Sequence, residues 1–166
     1  MRYFCCLLAL AFTLPAYAQK APPHKAQKTK TALAAKAKVA PEPVLVFQRT
    51  PCEGRCPAYT TAIFANGRVE YDGLRSVQLL GKHTLSLPAA TVSQMLAEAK
   101  RLHFTELKDE YSGNTTDMPA TIIKVHPVGQ PLKAVYAEQD IPQNLQEYIN
   151  YLKTKLDPLT QNTQEQ

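Results

Sequence analysis

At 166 residues with a formal charge of +5, the chain has room for one domain of about 100–150 residues plus flanking segments, not for a multidomain enzyme. Hydrophobic residues make up 45% of it, enough for a core, so the chain as a whole is not disordered. No apolar run of about 18 residues occurs beyond the N-terminus, which argues against an internal membrane span.

Arg2 gives a positive start, and Cys5 to Leu14 form an apolar run that Pro15 breaks. Ala16-Tyr17-Ala18 then supplies the small-x-small pattern of a cleavage site before Gln19. Residues 1–18 therefore read as a secretory signal peptide, because the run is too short for an uncleaved anchor. Lipidation is disfavoured: Cys5 and Cys6 begin the apolar run, whereas a lipidated cysteine follows it. Cleavage leaves Cys52 and Cys56, and in an oxidising compartment such a pair is expected as a disulfide.

Residues 19–43 contain six lysines and a single acid, Glu42. From 44 onward, twelve basic residues face thirteen acidic ones. The excess positive charge thus belongs to this segment, which weakens a nucleic-acid reading, since that needs a basic face on the fold. Its Ala, Lys, Pro and Thr cannot bury enough apolar surface to order it, so 19–43 is expected to be a disordered linker. It serves either as a solubilising tether or in weak, salt-sensitive contact with an anionic envelope surface.

The domain is expected over 44–157. Val44 to Arg49 reads as a first strand. Tyr59 to Phe64 and Arg68 to Tyr71 flank Asn66-Gly67, a hairpin signal. A two-residue loop pairs Phe64 with Val69, and a three-residue loop with Gly67 left-handed pairs Ile63 with Val69. The choice flips the buried face. The second register is preferred because it gathers Tyr59, Ile63, Val69 and Tyr71 on one side. Ser76 to Leu87 predicts another strand or strand pair, with Gly81 as a bulge.

Pro88 opens a helix with Val92, Met95, Leu96, Ala99 and Leu102 at helical spacing, ending near His103-Phe104. Lys108 to Pro119 reads as a polar loop. Thr121 to Val125 and Leu132 to Tyr136 read as strands. Asp140 is expected to N-cap a second helix, with Pro142 in its first turn and an apolar stripe of Leu145, Tyr148, Ile149, Leu152 and Leu156. Asp157-Pro158 stops it, and 158–166 is expected to be a flexible tail. The order predicts an α+β fold: a single small domain, an antiparallel sheet with two helices packed on one face. Neither the dinucleotide nor the phosphate-loop glycine signature occurs, so no cofactor is expected.

Pro51-Cys52-Glu53-Gly54-Arg55-Cys56-Pro57 is the most unusual segment. Its prolines bracket one tight turn, and Gly54 is expected to supply a backbone conformation closed to other residues. Residues four apart on one helical turn lie about 6 Å apart, within disulfide reach. A structural disulfide, Cys52–Cys56, is favoured over a redox thiol, which lacks CxxC spacing and a βαβ context. It is also favoured over a metal site: His83, His103 and His126 show no paired-ligand spacing. Gly54 and Arg55, with neighbouring N–H groups, suit an anion cradle; the alternative is a plain surface arginine. The run Asp109-Glu110-Tyr111 to Thr115-Thr116-Asp117 has carboxylates and a tyrosine suited to acid–base work, but no nucleophile–base pair accompanies it, so no catalytic residue is expected.

The string RTPCEGRCPAY, the following Asn-Gly and VEYDG, then Asp109, Tyr111, Thr116, Asp117 and Pro119, resemble a family of secreted bacterial domains catalogued as domain of unknown function 6438. The likeness runs from about Leu45 to about Leu152. Its C-x-G-x-C-P-x-Y motif is met by Cys52, Gly54, Cys56, Pro57 and Tyr59. The resemblance implies a small α+β domain in the periplasm or outside a bacterial cell, and no assigned activity. The expected function is therefore a non-enzymatic binding or structural module for an unknown envelope protein or ligand. Its candidate surface is Gly54, Arg55, Tyr59, Tyr111 and Asp117. The alternative is a thiol-redox, metal-binding or enzymatic protein built on the Cys52/Cys56 loop.

Overall fold

The computed structural model describes residues 41–113, 117–127 and 129–160. The signal-peptide reading of 1–18, the linker up to residue 40, Thr115, Thr116 and the tail from 161 lie outside the described residues.

The strands are β1 (Leu45–Arg49), β2 (Ala58–Ile63), β3 (Arg68–Arg75), β4 (Gly81–Ser86), β5 (Glu110–Tyr111), β6 (Thr121–Val125) and β7 (Lys133–Ala137). Helix α1 (Ala89–Arg101) follows β4, and α2 (Gln143–Leu156) follows β7. All seven strands form one sheet in the order β4-β3-β2-β1-β6-β7-β5. Alternation on the pleat sends Leu45, Phe47, Tyr59, Ile63, Val69, Tyr71, Ile123, Val125, Val135 and Ala137 to one face. There they share a core with Val92, Met95 and Ala99 of α1 and with all five residues of the α2 stripe. Both helices thus cover the same face, and the Tyr148 hydroxyl ties them by donating to the Met95 carbonyl at 3.1 Å.

The Asn66-Gly67 hairpin takes the three-residue register. Ile63 pairs with Val69, Phe64 N–H donates to Arg68 O at 2.9 Å, and Gly67 sits at φ 91°. A Cβ on Gly67 would lie 2.1 Å from the Leu87 carbonyl oxygen, so only glycine fits. Pro88 stands at the N-terminal boundary of α1 and needs no N–H partner there. The helix ends where His103 turns left-handed at φ 57° and its N–H closes on Lys100 O at 3.1 Å.

Four expectations are corrected. The sheet is mixed: inside the polar loop, Glu110 and Tyr111 form a short strand parallel to β7. Gly81, at φ 82°, opens β4 and is no bulge; residues 76–80 are the hairpin loop, and β3 runs on to Arg75. The register shift lies instead between Ala58 and Tyr59. Asp140 does not cap α2: it is left-handed at φ 53°, and Pro142 holds the cap position. After α2 the chain makes one 3₁₀ turn, Asp157–Thr160, with Leu159 against the core.

Candidate functional site

Arg49 ends β1 and pairs with Tyr59 on one side and Thr121 on the other. The chain leaving β1 and the chain entering β6 therefore emerge side by side at one end of the sheet. Thr50 locks them together. Its N–H donates to Ala120 O at 2.9 Å, and its hydroxyl accepts from Ala120 N–H at 2.8 Å. On the other flank, the register shift in β2 sets Arg75 opposite Ala58. The Arg75 guanidinium donates to the Gly54 carbonyl at 3.1 Å.

Between these anchors Cys52 and Cys56 are joined by a disulfide, with Cα atoms 5.7 Å apart. Disulfide sulfurs offer no thiolate for nucleophilic attack or metal ligation. Pro51, Cys52 and Glu53 meet Arg75, Asp117 and Met118 around a shallow, open depression. Asp117, the last residue of the second segment, thus borders the same depression as the disulfide loop. Met118 is 48% exposed there. Its lining carries two acids, Glu53 and Asp117, one base, Arg75, and the apolar tip of Met118, a mixed chemistry of the kind found at polypeptide-binding surfaces.

The candidate residues divide. Gly54, Arg55 and Asp117 lie at this end, with Gly54 and Arg55 on the exposed turn. Gly54 is not left-handed, and a Cβ there would meet only the Cys52 sulfur at 3.7 Å, an ordinary contact. The expected backbone requirement at Gly54 is therefore corrected. Tyr59 is no surface residue: it is 2% exposed, its ring 6.0 Å from Phe47 and 5.7 Å from Tyr71. Its hydroxyl donates to Asp157 Oδ1 at 2.8 Å. Burial first, then the Asp157 carboxylate, push that hydroxyl's pKa far above the usual tyrosine range, although Arg49 beside the ring pulls it down. Lys153, near the same cluster, is shifted down by burial and by Arg49. Tyr111 lies on the edge strand β5, where its hydroxyl accepts from Lys108 N–H at 3.2 Å. It pins that edge and does not line the depression.

Thr50 and Arg75 carry no functional signal in the sequence. Thr50 adjoins the Pro51–Pro57 turn, but its role depends on a residue 70 positions away. No local pattern marks Arg75. The histidines stay apart. His83 contacts Leu80 O at 2.8 Å, His103 lies 3.2 Å from Glu106, and His126, just past β6, lies 3.4 Å from Glu42. Among the described residues no three His, Cys, Asp or Glu side chains gather as a metal site.

A small mixed-sheet α+β domain with a disulfide-closed loop between its first two strands defines the class of protein. The chain belongs to the family described as "Domain of unknown function (DUF6438)", whose family model matches residues 43–156. No curated protein and no solved structure matches the chain. No described helix is long and apolar enough to cross a membrane.

Proposed function

We propose that this chain is an exported, non-enzymatic binding module of the bacterial envelope. Residues 1–18 direct export and are removed, and the basic segment 19–43 holds the domain near an anionic surface. The partner, a protein or ligand of the envelope, meets the sheet end that carries the Cys52–Cys56 loop. The observation that supports this reading is the junction of the disulfide loop with Asp117-Met118, closed by Thr50 and braced by Arg75. Side chains of both signs around an exposed methionine, on a rigid frame, suit recognition more than bond-making.

Site-specific photocrosslinking tests it. A benzophenone side chain at Met118 is expected to capture a discrete envelope species, and the same probe at the exposed Gln146 of α2 is not. Equal capture from both positions, or none, refutes this surface. Intact mass of the mature chain with thiol alkylation tests the alternative. Ready alkylation of Cys52 or Cys56 without reductant would turn the reading toward thiol chemistry.

A further inference from the structure

We propose that the outer edge of β4 is a self-association surface, on which a second copy of this chain adds its own β4 antiparallel and continues the sheet. β4 terminates the sheet, and its far side pairs with no described strand. The hydrogen-bond phase is fixed by one contact. Leu87 N–H donates to Gly67 O at 2.8 Å, in the same register that pairs Arg68 with Ser86. Backbone groups alternate along a strand. Those of Leu85 and His83 therefore face β3, and those of Lys82, Thr84 and Ser86 face outward. No described group hydrogen-bonds to these outward N–H and C=O groups. Such an edge is a template for another strand unless something blocks it. No proline and no described bulge interrupts Gly81–Ser86.

The pairing pattern selects a second copy. In a two-fold arrangement about Thr84, Thr84 meets Thr84 of the second copy, and Lys82 meets Ser86. Threonine pairs are favourable cross-strand neighbours, and this register sets no like charges directly opposite each other. In the next rank inward, Lys82 already has Asp72 beside it on β3, and Ser86 has Arg68. On the helix-covered face, His83 meets Leu85 of the second copy. Leu85 and Leu87 are only partly buried at this edge, and the added strand covers more of them. The contact is isologous and closes as a dimer without leading to fibres.

Sedimentation velocity of the mature chain, residues 19–166, across the micromolar range tests the inference. A concentration-dependent monomer–dimer equilibrium is expected. Thr84→Pro removes the central outward N–H without touching a bond to β3, and is expected to abolish the dimer while leaving circular dichroism unchanged. Should that variant fail to fold, Thr84→Lys places a like charge against itself on the two-fold axis and is expected to weaken dimerisation at least tenfold, less so at high salt. A chain that stays monomeric throughout, or a dimer that survives both substitutions, overturns the proposal. So does an edge that takes up only segments of other proteins.

Discussion

Tyr59→Phe removes one hydroxyl and keeps the ring. Its contacts to Phe47 and Tyr71 remain, so the transfer and cavity terms stay near zero. What is lost is the 2.8 Å bond to Asp157, which joins the start of β2 to the turn after α2. A bond to a charged acceptor contributes about 1.5–3 kcal/mol, and the partly exposed Asp157 regains water when abandoned, so the cost is set at about 1–2 kcal/mol. A double-mutant cycle with Asp157→Ala isolates the pair. Urea unfolding of the mature chain, read by tyrosine fluorescence, is expected to give a coupling energy of about 1 kcal/mol with an unchanged slope. If the two substitutions add within about 0.3 kcal/mol, the bond carries no stability and Tyr59 serves by packing alone.

Two glycines are expected to part company. Gly67→Ala meets both a left-handed backbone and the Leu87 carbonyl, and is expected to cost upwards of about 2 kcal/mol by thermal unfolding. Gly54→Ala is expected to stay within about 0.5 kcal/mol of the parent, despite its place in the cysteine motif. Reducing Cys52–Cys56 opens a loop of five residues and is expected to lower stability by about 2 kcal/mol on loop entropy; a loss near zero would mean that Thr50 and Arg75 hold the loop without it. Tyr59, Tyr71 and Tyr148 all have hydroxyl pKa values raised, chiefly by burial. Each is raised in the folded state above its unfolded value of about 10, so the stability it contributes is whole below pH ~10 and falls as pH rises beyond it. Melting temperature is expected to drop steeply above that pH, less so in Tyr59→Phe; an equal drop in both proteins would remove Tyr59 from the cause.

The cysteine motif marks Tyr59 as a surface candidate, whereas the hairpin register puts it on the buried side. Alternation along the strand puts it beside Ile63, Val69 and Tyr71, and the structure buries it there. Asp140-Ile141-Pro142 looked like a cap because aspartate is a frequent N-cap. Pro142 already lacks the N–H that a cap would serve at that turn, and Asp140 takes the left-handed bend that leads into it instead. Glu110-Tyr111 carried no strand signal, since two residues show no period. Pairing with β7 made them a strand, through Tyr136 N–H to Asp109 O and Glu138 N–H to Tyr111 O, each at 2.8 Å.

The sequence by itself determined whatever depends on neighbours within a turn or a hairpin. The five-residue stripe buried α2, Pro88 and the bend at His103 bounded α1, Gly67 set the first hairpin register, and the spacing of Cys52 and Cys56 put their sulfurs within reach. The tertiary structure alone decided which distant segments share a surface. The Cys52–Cys56 loop meets Asp117-Met118 because β1 pairs with β6, more than seventy residues on, and because Thr50 bonds Ala120 across that pairing. Arg75 joins them through a register shift on β2, and β4 becomes an open edge because the sheet ends there. Strand pairing over such distances is selected by the burial of a whole face against two helices, and no short stretch of residues carries that information.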